Sequence, residues 1–591
     1  MNLNTQQKDA VEYYGTPQII IAGAGTGKTT VMIEKIKHLI ATKKHAGKNI
    51  LALTFTNKAA NEMKERFQQT SSTDDTPTFG TFHSFCLRFL KKIAHRSSIG
   101  IPPTFSIIDH QKQREIISGL IKKHPSQMER KPKDMLSKLS NIKQLPRHMH
   151  ANALADAPSD INAIFSGYNQ ALRDLNCLDF DDLLLFTHEI LSTQPDILEQ
   201  LNHQFTYIII DEYQDTNQIQ NDLSILLAKK HNNICVVGDF DQTIYSWRGA
   251  KIENLLQFNH HFPTCKTQKL EINYRSTNEI LSSANQLIEF NSNRQPKQLI
   301  GQRNGQNKPE HIICFNESEE ATTIAEKIKS LQKETSYKLS DIAILYRTNQ
   351  QARAIEEALI HHQIPHQIVG TTPFYQRMEI KHALAYLHCI HNINQPIWFE
   401  RAILNPPKGI GKASLHSLFE FSTNNNLTIE AAIHHDQCPL KPRAMGIAKS
   451  FVDQITQVSK SPTSIDEKLK TILETMNVDD AIKKHDDYID RRDNIKELLS
   501  KLSHVTNLAD FLDETALFQG NDAMTKTEKV SCLTLHLAKG LEFSVVFIPG
   551  FEQDIMPLKN SESLEEERRL AYVGITRGKN HVVLLSSYKR T

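Results

Sequence analysis

The stretch QIIIAGAGTGKT, residues 18–29, joins a short β-branched run to a glycine-rich turn. Gln18 to Ala22 has the composition of a buried strand, and a helical pattern follows from Lys28 to Ile40. A strand, a glycine-rich loop and a helix in this order form a phosphate-binding loop, whose backbone N–H groups surround phosphate oxygens at a helix N-terminus. The stretch therefore predicts a nucleotide site on a parallel α/β sheet.

The residues of this loop have distinct expected roles. Lys28 would reach the β- and γ-phosphates, and Thr29 would hold Mg²⁺. Ala22 stands where the general pattern has glycine, a change that leaves the phosphate cradle intact. A glycine turn of purely structural value is the alternative. The predicted nucleotide contacts in the loop are Ala22, Gly23, Ala24, Gly25, Thr26, Gly27, Lys28 and Thr29.

Strand and helix patterns continue to alternate after the loop. A second strand and a helix follow it, and two more buried-type runs come before residue 240. A second α/β rhythm begins near Leu270. This alternation predicts parallel sheets. The predicted strands after the first are 50–55, 207–210, 234–237, 311–315, 342–346, 530–535, 544–548 and 581–585.

Two long segments interrupt the α/β pattern. Both are polar and mainly helical in pattern, and the length of the chain favours about four domains. We therefore predict an α/β protein with two parallel-sheet cores, each with a mainly α-helical insertion. The predicted parts are 1–93 with 190–270 for the first core, 94–189 for its insertion, 271–373 with 527–591 for the second core, and 374–526 for its insertion.

The run YIIIDEYQDTN, residues 207–217, is a hydrophobic strand that ends in two carboxylates. Ligands of α/β sheets bind at the carboxyl ends of the strands. Asp211 can complete a Mg²⁺ shell, and Glu212 can take a proton from an attacking water. A surface acidic cluster is the alternative, but such a cluster rarely follows four apolar residues.

Composition narrows the class of protein without naming a ligand. The formal net charge is only +2, so any nucleic-acid path must be a local basic groove. The eight cysteines have no CxxC pair, which fits a reducing cytoplasm, and the histidines show no metal-binding spacing. The polar N-terminus and the absence of a long apolar run predict no secretory signal and no membrane span.

Longer motifs resemble those of the Rep/UvrD/PcrA-type superfamily 1A DNA helicases, whose fold is two RecA-like domains with insertions. The stretch DEYQDTN at 211–217 resembles motif II, and VGDFDQTIYSWRGA at 237–250 resembles motif III. CLDFDDL at 177–183 and the Ser-Trp pair at 246–247 look closest to Rep. Further matches, in family order, are LNTQQ at 3–7, TFTNKAA at 54–60, GTFH at 80–83, LEINYRS at 270–276, TLHLAKGLEF at 534–543 and EEERRLAYVGITR at 565–577.

The resemblance implies roles around the phosphates. Gln242 and Arg275 would sense the γ-phosphate, and Arg577 would act as an arginine finger from the second core. A fixed guanidinium can stabilise the charge of a transferring phosphoryl group. ATP would then bind between two lobes that close and open during hydrolysis. Ordinary salt bridges are the alternative for the two arginines.

The resemblance also implies contacts to the rest of ATP. Gln7 would read the adenine edge, Tyr274 would stack on adenine and Glu542 would contact the ribose. Three residues depart from the family pattern. Thr30 replaces an arginine that commonly stacks on adenine, Phe240 replaces an aspartate of motif III, and Leu537 replaces a small or polar residue of motif V.

By the same resemblance, aromatic side chains would stack on the bases of a single strand, which tolerates any sequence. Phe55 and Phe180 could instead belong to the core, as could Trp247, one of only two tryptophans. The predicted DNA contacts are Phe55, Asn57, Thr81, His83, Phe180, Tyr245, Trp247, Arg248, Arg347, Thr534 and His536.

The resemblance implies a cytoplasmic ATP- and Mg²⁺-dependent helicase that moves 3′→5′ on single-stranded DNA and unwinds tailed duplexes in replication or repair. Self-association and contacts with replication or repair proteins are further expectations, without those that the family's long C-terminal tail would mediate. Two alternatives stay open. One is a DNA-binding regulator that ATP switches and that strips proteins from DNA with little unwinding, and the other is an RNA helicase.

Overall fold

The computed structural model describes residues 3–71, 73–95, 99–102, 104–124, 130–155, 157–292, 294–305, 308–369, 374–483, 488–517, 528–561 and 563–590. The chain divides into two compact units. The sheet unit is Met1–Phe82, Leu191–Thr371 and Gln519–Thr591, and the helical unit is His83–Ile190 and Thr372–Phe518. The expected boundaries at 373 and 526 lie outside the described residues, and the four-part division stays a prediction.

The strands and helices of the described residues are numbered in chain order. The strands are β1 (Gln18–Ala22), β2 (Ile50–Thr54), β3 (Thr78–Thr81), β4 (Ser106–Ile107), β5 (Cys177–Leu178), β6 (Tyr207–Ile210), β7 (Ile234–Gly238), β8 (Lys266–Leu270), β9 (Ile272–Thr277), β10 (Ile300–Arg303), β11 (Glu310–Asn316), β12 (Ile342–Tyr346), β13 (His366–Ile368), β14 (Val530–Thr534), β15 (Phe543–Ile548) and β16 (Gly578–Lys589). The helices are α1 (Thr5–Glu12), α2 (Lys28–Ala41), α3 (Asn57–Thr70), α4 (Phe82–Ile93), α5 (His110–Lys123), α6 (Pro132–Lys143), α7 (His150–Ala155), α8 (Ser159–Asp174), α9 (Phe180–Thr193), α10 (Pro195–Gln204), α11 (Gln218–Ala228), α12 (Glu253–Leu256), α13 (Phe258–His261), α14 (Asn278–Ile288), α15 (Glu317–Glu334), α16 (Ala352–His361), α17 (Met378–His391), α18 (Pro396–Leu404), α19 (Lys412–Asn424), α20 (Ile429–His434), α21 (Pro442–Lys460), α22 (Ile465–Thr475), α23 (Val478–Ile482), α24 (Tyr488–Leu502), α25 (Leu508–Ala516) and α26 (Leu564–Ile575).

The first sheet has six parallel strands in the order β3-β2-β6-β7-β1-β8. Its central strands are apolar and buried on both faces, as strands of parallel sheets are. Because the strands are parallel, their carboxyl ends meet at one edge. The loops that follow β1, β6 and β7 therefore lie side by side.

The second sheet has six parallel strands in the order β11-β16-β15-β12-β14-β13. A separate parallel pair, β9 with β10, precedes it in the chain. These observations confirm the predicted α/β class with two parallel sheets. We call 3–82 with 191–270 the first lobe, and 272–369 with 528–590 the second lobe; both belong to the sheet unit.

Sequence patterning missed several strands because they are short or polar. β8 reads KTQKL and is mostly exposed, since it forms the edge of the first sheet. The expectation that the second α/β rhythm begins near Leu270 agrees with this position, because β8 is the last strand of the first sheet and ends at Leu270. β8 still belongs to the first sheet, and the first strand beyond it is β9, which starts at Ile272.

The helical unit has one apolar core that both of its chain segments build. Ile117 and Ile164 from the first segment and Phe399 and Leu469 from the second are all buried in the same cluster. Polar contacts join the same two segments. Trp398 Nε1 donates to Ser106 Oγ at 3.1 Å, for example. The two segments therefore pack as one body.

Within the described ranges, no helix is both long and apolar enough to cross a membrane.

A buried lysine gives a test of the helical unit. Lys143 is 1% exposed, and its Nζ donates to Asp179 Oδ2 and to Asp182 Oδ1, each at 2.7 Å. Lys143→Met should lower the free energy of unfolding by about 3–5 kcal/mol, because it leaves two buried carboxylates without their cation. Calorimetric unfolding measures the change. Lys138→Met, on the exposed side of the same helix, is the control, and equal melting temperatures for both variants would contradict the prediction.

Candidate functional site

The glycine-rich loop after β1 has the geometry of a phosphate cradle. Gly25 and Gly27 have φ of 67° and 84°, a region that favours glycine, and α2 begins directly after Gly27. A Cβ added at Gly25 would lie 2.6 Å from Asn273 Nδ2, so there is no room for a side chain. The loop N–H groups and the N-terminus of α2 together suit an anion.

The predicted adenosine contacts lie beside this loop. Gln7 Nε2 donates to the Thr26 carbonyl at 3.0 Å, and Asn4 Nδ2 donates to Tyr274 Oη at 2.6 Å. Tyr274 is exposed, whereas Gln7 is buried. The exposed ring leaves a face on which a base can stack, while the amide of Gln7 is fixed against the loop.

The two carboxylates after β6 face the loop lysine. Lys28 Nζ donates to Glu212 Oε1 at 3.0 Å, and the Glu212 N–H donates to Asp211 Oδ1 at 2.9 Å. Burial and the neighbouring Glu212 raise the pKa of Asp211. Burial also acts to raise the pKa of Glu212, but Lys28 and Lys539 outweigh it and hold that pKa low.

The predicted γ-phosphate sensors of both lobes meet at this edge. Gln242 Nε2 donates to Asp239 Oδ2 at 2.6 Å, and Arg577 Nη2 donates to Gln242 Oε1 at 3.4 Å. Arg577 is buried, and burial together with Arg275 lowers its pKa to about 9, so it stays charged at neutral pH. Arg577 belongs to the second lobe and Gln242 to the first.

Arg275 lies next to the loop from the second lobe. A Cβ added at Gly25 would be 2.7 Å from Arg275 Cβ, and Arg275 Nε donates to Glu542 Oε2 at 2.7 Å. Lys579 Nζ pairs with the other oxygen of Glu542 at 2.7 Å. The structure therefore brings the loop, the acidic pair and both predicted arginines together, while their roles remain predictions.

Sequence reasoning missed two residues of this site. Lys539, inside the quoted TLHLAKGLEF motif, donates to Asp215 and, at 2.6 Å, to the Gln242 carbonyl. Asn273 is buried, and its Nδ2 donates to the Ala24 carbonyl at 2.6 Å. Both residues lie in motifs that the sequence had already linked to the site. Their contacts could not be predicted, because the packing of the two lobes decides where the side chains point.

The structure shows the environment of the three residues that depart from the family pattern. Phe240 is buried, so an apolar side chain fits its position. Leu537 packs against an apolar cluster that both lobes share. Thr30 lies in the first turn of α2 and is partly exposed.

Five of the predicted nucleic-acid residues form an aromatic cluster in the sheet unit. Phe55 and Tyr245 stack with centroids 5.1 Å apart, and the Trp247 ring lies edge-on to Tyr245 at 6.3 Å. Trp247 is 60% exposed, which argues against a core position. Arg248 lies over Trp247 at 4.8 Å, and the His536 ring is 6.3 Å from Trp247.

The other predicted contacts of the sheet unit are more constrained. Arg347 forms an ion pair with Glu567 at 2.8 Å, so its guanidinium is already engaged. Thr81 Oγ1 lies 3.5 Å from Asn57 Oδ1, and Thr534 Oγ1 accepts from the Leu537 N–H at 3.4 Å. Burial and the neighbouring Arg347 lower the pKa of His536 to about 4, so its ring is neutral at pH 7.

The remaining two predicted contacts lie in the helical unit. The rings of His83 and Phe180 meet edge-on with centroids 5.8 Å apart, and His110 stacks on Phe180 at 6.5 Å. Phe180 is the first residue of α9 and is partly buried. Both a core role and a stacking role are compatible with that position.

In the described segments of the chain, no group of three or more histidine, cysteine and acidic side chains could hold a metal ion. The predicted Mg²⁺ ligands, Thr29 and Asp211, are a hydroxyl and a carboxylate, so they supply the oxygen donors that Mg²⁺ prefers.

Comparison with known proteins covers the whole chain. The model of the UvrD/REP helicase N-terminal domain matches residues 3–263, and that of the UvrD-like helicase C-terminal domain matches residues 268–589. ATP-dependent DNA helicase PcrA of Bacillus subtilis is 38% identical over 618 residues, 100% of this chain and 83% of the relative. The PcrA proteins of Staphylococcus epidermidis and Staphylococcus aureus are 36% and 35% identical over 613 residues, with 100% of this chain and 84% of each relative. A special likeness to Rep stays a prediction.

Lys539 offers a test of the site. Lys539→Met should lower kcat for ATP hydrolysis by up to about 100-fold, because Asp215 and the Gln242 carbonyl lose the cation that holds them. Steady-state ATPase measurements check this result. Lys559→Met removes an exposed lysine of the same lobe and should leave kcat unchanged, and a Lys539→Met protein with unaltered kcat would contradict the prediction.

Proposed function

The chain belongs to the UvrD/Rep family of helicases, and from this membership we propose that it moves 3′→5′ on single-stranded DNA and unwinds duplex DNA. It is an ATP-hydrolysing DNA helicase of the PcrA/UvrD type. Service in replication or repair is part of the same proposal, with proteins of those processes or a second copy of the chain as partners.

The contacts between the two lobes beside the phosphate loop are the main support for this proposal. The phosphate loop of the first lobe meets the second lobe through the Tyr274–Gly25 contact, and Arg577 and Lys539 of the second lobe bind Gln242 and Asp215 of the first at the same edge. A nucleotide held there touches both lobes. Its binding and hydrolysis therefore change the forces between the lobes, which converts chemistry into relative motion.

Mg²⁺ suits the donor atoms at this site. Thr29 and Asp211 would hold it, and the bound ion would neutralise part of the phosphate charge. Asp211 supports this role because burial beside Glu212 disfavours its charged form, as the raised pKa indicates. A cation is the natural partner for such a carboxylate.

In this proposal, the pKa of Glu212 depends on the position of Lys28. Its partner in the structure is Lys28, the residue that the phosphates of ATP would attract. When Lys28 turns to the phosphates, Glu212 loses one of the two cations that hold its pKa low and keeps only Lys539, so the pKa rises. Glu212 is then better able to take the proton of the attacking water.

Arg275, Arg577 and Gln242 complete the proposed reaction site. The guanidinium groups would stabilise the charge on the transferring phosphoryl group, and the Gln242 amide would sense the γ-phosphate. Arg577 contacts Gln242 across the two lobes, so one phosphate would be within reach of both residues in this proposal.

The proposed strand contact in the sheet unit is the aromatic cluster around Trp247. Its exposed ring offers a face for a base, and Arg248 adds positive charge beside it. Tyr245 Oη donates to the His536 carbonyl at 3.1 Å, which links this cluster to the second lobe. Movement between the lobes would therefore reach the strand.

Unwinding assays with tailed duplexes test the proposed function. Unwinding should require ATP and Mg²⁺ and should be faster for a 3′-tailed than for a 5′-tailed duplex. Lys28→Ala should reduce ATP turnover and unwinding to background, because the phosphates lose their cation. Preference for the 5′ tail would contradict the polarity, and retained turnover would contradict the nucleotide site. DNA-stimulated hydrolysis without unwinding would favour the ATP-switched regulator instead.

Trp247→Ala tests the strand contact. Stacking contributes roughly 1–3 kcal/mol per base, so the Kd for single-stranded DNA should rise about 5- to 100-fold while basal hydrolysis persists. Fluorescence anisotropy with a labelled oligonucleotide measures the Kd. Phe290→Ala, which removes an aromatic ring that is 75% exposed elsewhere in the sheet unit, is the control. Equal affinity of both variants for DNA would remove Trp247 from the strand site.

A further inference from the structure

Four charged residues, three of them buried and one partly buried, lie beside the predicted γ-phosphate sensor. Asp239 and Asp241 of the first lobe face Lys297 and Arg294, which follow α14 in the second lobe. Lys297 Nζ donates to both Asp239 Oδ1 and Asp241 Oδ2. Arg294 binds Asp241 with two hydrogen bonds, of 3.0 and 2.9 Å. The Lys297 side chain is 1% exposed, so water does not screen these pairs.

The charges of this cluster balance. Two carboxylates meet two cations, which is the condition under which buried charges are tolerated. Burial acts to raise the pKa of Asp239, but Lys297 and Lys28 outweigh it and lower that pKa. Asp239 is therefore an ionised carboxylate held from two sides.

Asp239 divides its two oxygens between the lysine and the sensor. Its Oδ1 accepts from Lys297 and, at 3.0 Å, from the Asp241 N–H, and its Oδ2 accepts from Gln242 Nε2 at 2.6 Å. This second bond fixes which end of the Gln242 amide points away from Asp239. The amide oxygen then faces Arg577.

The same segment of the second lobe is anchored at the phosphate loop. A Cβ added at Gly23 would lie 2.2 Å from Leu299 Cδ2, so the Leu299 side chain fills the space beside that glycine. Residues 294–299 thus contact the first lobe at two places, the loop after β1 and the turn after β7. Lys297 lies between these contacts and has little freedom to move.

We propose that Lys297 is a positioning residue for ATP hydrolysis, which holds Asp239 so that this carboxylate orients the Gln242 amide. The inference rests on the sensor role that the proposed function gives Gln242. In this arrangement the second lobe aligns a sensor of the first lobe through a carboxylate, in addition to supplying its own arginines. Among the described residues Arg294 contacts neither Asp239 nor Gln242, since it donates to Asp241 and, at 3.3 Å, to the Lys297 carbonyl.

Steady-state ATPase kinetics of Lys297→Met test the role. We expect kcat to fall by about 10- to 100-fold with KM for ATP within about threefold of wild type, because misplacement of Gln242 affects the transition state more than the bound substrate. Lys269→Met is the matched control. Lys269 is exposed, and its Nζ donates to the Pro296 carbonyl of the same segment without touching either aspartate. Its kcat should equal that of wild type.

A double-mutant cycle separates positioning from general support of the fold. If Lys297 acts through Gln242, Lys297→Met should lower kcat little further once Gln242→Ala is present. An equal fold loss in both backgrounds would overturn the inference and leave the sensor role of Gln242 intact. A Gln242→Ala protein with wild-type kcat would overturn the sensor role and, with it, this inference.

A second variant keeps the test decisive if Lys297→Met does not fold. Lys297→Gln retains a hydrogen-bond donor at the site but cannot supply the charge that both aspartates share. Its kcat should fall because Asp239 is held less firmly. As with Lys297→Met, the loss should be much smaller once Gln242→Ala is present. Wild-type kcat in a folded Lys297→Gln or Lys297→Met protein would overturn the inference.

Discussion

Two hydrogen bonds join the phosphate loop of the first lobe to the start of the second lobe. Tyr274 N–H donates to the Gly25 carbonyl at 3.0 Å, and Asn273 Nδ2 donates to the Ala24 carbonyl at 2.6 Å. Buried carbonyls require such partners. The conformation of the loop therefore depends on β9, so a displacement of the second lobe acts directly on the residues that are proposed to surround the phosphates.

The two lobes differ in the charges that they bring to this edge. The first lobe supplies carboxylates at the ends of its parallel strands, and apart from Lys28 the cations come from the second lobe. In the proposed function, the phosphate charges of ATP would compete with these carboxylates for the same cations. Binding of ATP would then rearrange the ion pairs between the lobes. The groups involved are Asp211, Glu212, Asp215, Asp239 and Asp241 of the first lobe and Arg275, Lys297, Lys539 and Arg577 of the second.

The helical unit combines two segments that interrupt the α/β pattern at distant places in the chain. Its segments, His83–Ile190 and Thr372–Phe518, share one apolar core and several ion pairs. Deletion of either segment would expose apolar surface of the other. The unit is therefore best regarded as one body built from two distant stretches of the chain.

The sequence by itself determined the α/β class, the loop after β1 and the carboxylates after β6, because these depend on local patterns of glycine, charge and hydrophobicity. It also identified the aromatic residue Trp247, although exposure of that ring is visible only in the structure. Edge strands such as β8 escaped detection because their polar residues carry no periodic signal.

Only the tertiary structure decided which residues meet. Arg347 matched an expected strand contact, yet its guanidinium is engaged by Glu567. Lys539 and Lys297 reach the site from positions far along the chain from the aspartates they bind. Ion pairs of this kind leave no local pattern, because the partners are brought together by the packing of two sheets and not by their spacing in the chain.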